Sequence, residues 1–183
     1  MSKIVIISGS PAEVSRTSAL ASFLNSVIAE HGHQVNKISV RDLPPEALIY
    51  AQFNNSVIKE AQELVKQADA LIVISPVYKA SYTGVLKSFF DLIPEKGLEG
   101  KKILPIATGG SIAHLLSLEY SFKPLFSVLG AREFIEGVYI VDSQLAYSGD
   151  ELTFVDTEVE TRLRSSVHNL LESIREQTQS ILE

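Results

Sequence analysis

The apolar positions along the chain fall into two rhythms. Residues 3–8 (Lys-Ile-Val-Ile-Ile-Ser) and 70–74 (Ala-Leu-Ile-Val-Ile) carry unbroken apolar runs, the pattern of strands covered on both faces. Val35 to Val40, Ile103 to Ala107 and residues 134–141 read as further strands. Between them the spacing changes to three and four. Leu20, Phe23, Leu24, Val27 and Ile28 predict a helix over 17–30, ended by Gly32. Val57, Ile58, Ala61, Leu64 and Val65 predict a second, and residues 84–93 a third that Pro94 closes. Ala113 to Leu129 reads as one long apolar-rich helix. Residues 156–182 read as a closing amphipathic one, with Val159, Leu163, Val167, Leu170, Leu171 and Ile174 on a stripe. Pro44-Pro45 breaks the chain into a loop, and the polar, glycine-containing stretch 145–155 reads as a surface loop.

The order is βα repeated over short connections. It predicts one α/β domain over 1–183, a parallel sheet with helices on both faces. Right-handed crossovers then gather the loops at the strands' C-terminal ends, where such sheets bind ligands. Three of those loops are unusual: 8–18, 75–83 and 108–114.

The first runs Ser8-Gly9-Ser10-Pro11, then Ser15-Arg16-Thr17-Ser18. A glycine turn delivers the chain to a helix start, whose first N–H groups lack helical partners and face the positive end of the dipole. Ser10, Ser15, Thr17 and Ser18 can add hydroxyl donors and Arg16 charge. There is neither a three-glycine dinucleotide fingerprint nor a Gly-Lys-Ser/Thr loop. A plain N-cap needs one hydroxyl; four of them beside a glycine turn favour a phosphate monoester. In the second loop Pro76, Val77, Tyr78, Lys79 and Ser81 offer a rigid turn, aromatic surface and backbone groups to a planar heterocycle. The alternative is a surface loop with packed tyrosines and a solvated lysine. In the third, Thr108, Gly109 and Gly110 either let a ligand approach the backbone or merely permit unusual dihedrals. His114 is either a donor to a ring carbonyl or an ordinary first-turn residue.

Composition narrows the class. The net charge of −6 and the lack of a basic stripe argue against nucleic acid. No apolar run nears the roughly 20 residues of a membrane span. Met1-Ser2-Lys3 leads straight into a strand, so no secretory signal is expected and a cytoplasmic location is. With no cysteine, thiolate catalysis and cysteine-held metals are excluded. The four histidines lack metal-ligand spacing, and there is no Gly-x-Ser-x-Gly elbow for a hydrolase.

Gly9-Ser10-Pro11 with Ser15-Arg16-x-Ser18, Pro76 to Ser81 with Gly84 and Leu86-Lys87, and Leu104-Pro105-x-Ala107-Thr108-Gly109-Gly110 with His114-Leu115-Leu116 are together a family pattern. Tyr120, Lys123-Pro124 and Asp142-Ser143-Gln144 follow at its spacing. The chain resembles the flavodoxin-like NADPH-dependent FMN reductases, more narrowly the reductase component of two-component alkanesulfonate monooxygenase systems. That resemblance implies a five-stranded sheet of order 2-1-3-4-5. FMN would lie with its phosphate in the first loop and its ring against the other two, reduced by hydride from NADPH and released to a partner flavin-dependent monooxygenase. It implies a π-bulge with a flavin-release role at Tyr120, and a homodimer or homotetramer formed through the Ala113–Leu129 helix. Ala12 stands where the family often has arginine, with Arg16 as the expected replacement charge. The other readings are a quinone- or azo-type reductase with tightly bound FMN and a flavodoxin-like electron carrier.

Overall fold

In a computed structural model the chain forms a twisted parallel sheet between two helical layers. The structure describes residues 2–149 and 151–182; Met1, Asp150 and Glu183 of the 1–183 span lie outside the described residues. Strands β1 (Lys3–Ser8), β2 (Gln34–Ser39), β3 (Ala70–Pro76) and β4 (Lys102–Gly109) pair in the order β2-β1-β3-β4, all parallel. The far edge is β5 (Glu133–Phe134) and β6 (Val138–Val141), both on β4. This is the flavodoxin-like 2-1-3-4-5 order, with its fifth strand in two pieces.

The break in the strand expected over 134–141 has a local cause. Phe134 pairs with Ile103 and Val138 with Ile106, so four steps along the edge oppose three on β4. The interruption lies opposite Pro105, which has no N–H to give to a neighbour. One extra residue is therefore left as a bulge. Gly137 fills the gap, where a Cβ would meet the Pro105 ring and carbonyl at 3.1 Å.

The apolar runs are unbroken because both faces are covered. Val5, Ile7, Leu71 and Val73 point into a core with α3 (Ser56–Gln67), α4 (Gly84–Phe90) and α5 (Lys123–Val128). Ile4, Ile6, Ile72 and Ile74 point into a second core with α1 (Arg16–Glu30) and α6 (Thr157–Leu182). A short α2 (Pro45–Ile49) starts on the proline pair that reads as a loop breaker, since proline suits a helix's first turn.

Two further expectations fail. Residues 145–155 are not a loop. β7 (Leu145–Ser148) and β8 (Glu151–Phe154) form an antiparallel hairpin that packs Phe154 edge-on against Phe23 of α1 at 5.0 Å. Ala113–Leu129 is not one regular helix either. A 3-10 turn (Ile112–His114) is followed by a π-helical turn (Leu118–Phe122) that runs into α5. Tyr120 lies in the π turn, where the resemblance puts a bulge.

Candidate functional site

The pairing register brings the ends of β1, β3 and β4 level: Ser8 lies beside Ile74, and Pro76 beside Thr108. The three unusual loops therefore leave the sheet from one edge, and hydrogen bonds tie them together. Gly9 donates its N–H to the Ile74 carbonyl (2.7 Å), and Val77 donates to Thr108 (2.7 Å). The buried Thr83 hydroxyl donates to the Gly9 carbonyl (2.6 Å) and accepts from the Leu86 N–H (3.2 Å) at the start of α4. Thr83 in turn donates its amide to the buried Ser75 hydroxyl (3.1 Å). On the other side Tyr139, buried in β6, donates its hydroxyl to the Ser111 carbonyl (2.7 Å). That hydroxyl passes so near Gly109 that a Cβ there would sit at 2.3 Å from it. Only glycine fits at 109.

In the first loop the serines divide by role. Ser8 and Ser10 are buried at its base. The Ser10 hydroxyl accepts from the Ala12 N–H (3.1 Å) and makes a long 3.3 Å contact with the Ala12 carbonyl, leaving its proton easily redirected. Ser15 and Ser18 form a reciprocal capping box: the Ser15 hydroxyl accepts from the Ser18 N–H (3.1 Å), and Ser18 accepts from Ser15 (2.9 Å). The Ser18 hydroxyl also reaches the Ser15 and Glu13 carbonyls (3.0 and 3.1 Å). The ordinary N-cap explanation thus accounts for these two. Thr17 is buried. Among the described residues, the amides of Arg16 and Thr17 find no acceptor within the chain, as expected of a helix's first turn. They are an open donor pair at the start of α1.

The Arg16 side chain is engaged by Asp142 and Tyr147. Its Nε donates to the Asp142 carbonyl (3.1 Å), its Nη1 lies 3.9 Å from the Asp142 carboxylate, and its guanidinium covers the Tyr147 ring at 5.5 Å. The charge beside Pro11–Glu13 comes instead from Arg41, which donates to the Pro11 carbonyl (3.2 Å) and faces Glu13 (3.7 Å) and Asp42 (3.4 Å). A cavity of about 670 Å³ opens on this side, lined by Ser8, Ala12, Ser18, Lys37 and Arg41 among others. It shares only the first loop with the site, and its charges are mixed by Glu13, Asp42 and Glu60.

The second loop is a tight reversal. Tyr78 and Ser81 exchange backbone hydrogen bonds (2.8 and 3.3 Å), with Lys79 and Ala80 between them at φ 52° and 66°. Two successive L residues in the left-handed region are strained, and such strain collects at functional sites. Pro76 and Val77 are half-buried, and Tyr78 stands about half exposed over the edge. Gly110 and His114 are exposed on the third loop, and Thr108 is buried beneath it. Tyr120 is 78% exposed, outside this hydrogen-bonded cluster. Thr83, Ser75, Tyr139 and Arg41 are residues around the site that the sequence did not single out, and Asp142 stood out only as part of the family pattern. Of the first four, only Thr83 carried a signal, a threonine directly before a helix start.

The donor set suits a phosphate monoester joined to a flat ring. There is an open helix N-terminus at one end, and exposed tyrosine and glycine backbone at the other. The chain's residues 2–146 match the family model described as NADPH-dependent FMN reductase. An FMN reductase (NADPH) of Pseudomonas putida is 44% identical over 165 residues, covering 90% of this chain and 84% of that protein. The FMN reductase (NADPH) of Escherichia coli K12 is 39% identical, covering 87% of each. Among solved structures, the apo form of the NADH:FMN oxidoreductase EMOB superposes with a TM-score of 0.80 at 39% identity, covering 97% of this chain and 90% of that one. The chain belongs to the NADPH-dependent FMN reductase family.

Proposed function

We propose that this protein uses NADPH to reduce free FMN, and hands the reduced flavin to a flavin-dependent monooxygenase. One observation carries the reading: three loops, locked to one another at the Gly9–Thr83 and Val77–Thr108 hydrogen bonds, set an open helix N-terminus beside an exposed aromatic turn. In a chain of this family that arrangement fits FMN. The Arg16 and Thr17 amides and the Ser10 hydroxyl take the phosphate, with Ser15 and Ser18 shaping the turn that presents them. Pro76, Val77, Tyr78, Lys79 and Ser81 line the ring, and Thr108, Gly109, Gly110 and His114 meet its far edge. The nicotinamide supplies the hydride and the flavin accepts it; this chemistry belongs to the two nucleotides. The chain's part is to hold the ring flat, to fix its register through backbone donors, and to leave one face open for the nicotinamide.

Tyr78, Gly110 and His114 are exposed at the site, as suits a flavin that must leave. Tyr120, exposed in its π turn, is assigned to flavin release. Ile112, Leu115, Leu116, Tyr120 and Val128 are each exposed within residues 112–128, and we assign that segment to a homodimer or homotetramer. Among the described residues no helix is long and apolar enough to cross a membrane, and we place the protein in the cytoplasm.

The test is NADPH oxidation as a function of added FMN. Turnover that saturates with FMN and is negligible without it supports the reading. Turnover of a quinone or azo dye with no added flavin would instead indicate a reductase with resident FMN. Absence of NADPH oxidation would indicate an electron carrier.

A further inference from the structure

Arg16 is the one cation on the first turn of α1, whose amides form the proposed phosphate cradle, yet it is held by an anion belonging to the protein. Its guanidinium sits between the Asp142 carboxylate, the Asp142 carbonyl and the Tyr147 ring. Asp142 follows directly on β6, the strand whose Tyr139 holds the third loop. Tyr147 belongs to the hairpin packed on α1. The contact is built to let go: the ion pair is 3.9 Å long, and both side chains are well exposed (37% and 40%). Arg16 occupies the first helical position, next to the open amides of its own backbone and of Thr17.

We infer that Asp142 competes with the flavin's phosphate for Arg16, and that this competition keeps FMN binding weak enough for release. With the cradle empty, Arg16 rests on Asp142 and Tyr147. When a phosphate arrives at the helix start, the guanidinium turns to the stronger dianion and the carboxylate loses its partner. The cost of that exchange lowers affinity, and the returning carboxylate favours departure. Asp142 is thus a positioning residue that acts on the ligand through Arg16. This inference rests on the phosphate cradle proposed above.

The experiment measures the dissociation constants of FMN and of riboflavin, by flavin fluorescence, for the wild type, Asp142→Asn, Arg16→Ala and the double variant. Riboflavin lacks the phosphate and reports the ring alone. Asp142→Asn should tighten FMN about two- to five-fold, the scale of a half-exposed ion pair. It should slow FMN dissociation in stopped flow by a similar factor and leave riboflavin unchanged. In the Arg16→Ala background the same substitution should have no effect on FMN. Because the substituted side chain is exposed, folding should be intact, as thermal unfolding checks. Weaker or unchanged FMN binding in Asp142→Asn overturns the competition, as does a gain that persists without Arg16 or extends to riboflavin. Failure of the cradle itself looks different: wild-type protein would bind FMN and riboflavin equally well.

Discussion

Replacing Thr83 by valine keeps the side chain's volume and removes its hydroxyl, which makes two buried hydrogen bonds at once. The Gly9 carbonyl (2.6 Å) would lose its donor and the Leu86 N–H (3.2 Å) its acceptor, both in fully packed surroundings. An unpaired buried carbonyl costs about 1–3 kcal/mol, and loss of an N-cap about 1 kcal/mol. The sum, about 2–4 kcal/mol, is a large part of the roughly 5–15 kcal/mol that holds a domain together. At about 2–4 °C per kcal/mol for a chain this long, Thr83→Val should melt about 4–16 °C below wild type by circular dichroism. Thr83→Ser, which keeps the hydroxyl, should recover most of the loss. Because Gly9 begins the first loop, the valine variant that remains folded should also raise the KM for FMN. A valine variant as stable as wild type, or a serine variant equally unstable, would refute the coupling of the two loops.

Three other substitutions probe separate parts of the site. Tyr139→Phe removes the hydrogen bond to Ser111; it should cost about 0.5–1.5 kcal/mol and raise the KM for FMN with kcat retained. Burial, helped by the Asp142 charge, raises the Tyr139 pKa. The folded state therefore holds that proton more tightly, and the resulting stability is complete below about pH 10 and lost as the pH rises further. In urea titrations wild type should lose more stability than Tyr139→Phe above that pH. Ser18→Ala breaks the capping box and should lower stability by about 1 kcal/mol, whereas Ser10→Ala should weaken FMN binding with little change in melting. Ala80→Gly relieves a left-handed alanine and should stabilise by about 1 kcal/mol, read as a higher Tm.

The layout of strands and helices was legible because both faces of this sheet are covered, so β1 and β3 appear as solid apolar runs. The three loops could be ranked as a site because glycine, proline and hydroxyl residues stand directly after those runs. What escaped depends on neighbours distant in sequence. The edge strand breaks opposite Pro105 of the strand beside it, with Gly137 in the gap. Half of the residues at 145–154 are polar or glycine, and Gly149-Asp150 set between Leu145 and Phe154 was the local turn signal. An extra residue in a π turn leaves helical spacing looking ordinary, so Tyr120 stood out only through the family resemblance. Side-chain partners were the least visible. Arg16 reaches Asp142 across 126 positions and Thr83 reaches Gly9 across 74. Ser15 and Ser18, read as phosphate donors, are spent first on capping their own helix.

The central claim is that the start of α1 takes the flavin's phosphate while the loops after β3 and β4 take its ring. A crystal structure of the protein soaked with FMN tests it most directly. The account predicts phosphate oxygens within hydrogen-bond distance of the Arg16 and Thr17 amides and the Ser10 hydroxyl, with the ring against Val77, Tyr78 and Gly109–Gly110. A phosphate seated instead in the cavity of Lys37 and Arg41, or a ring lodged away from these loops, would contradict it.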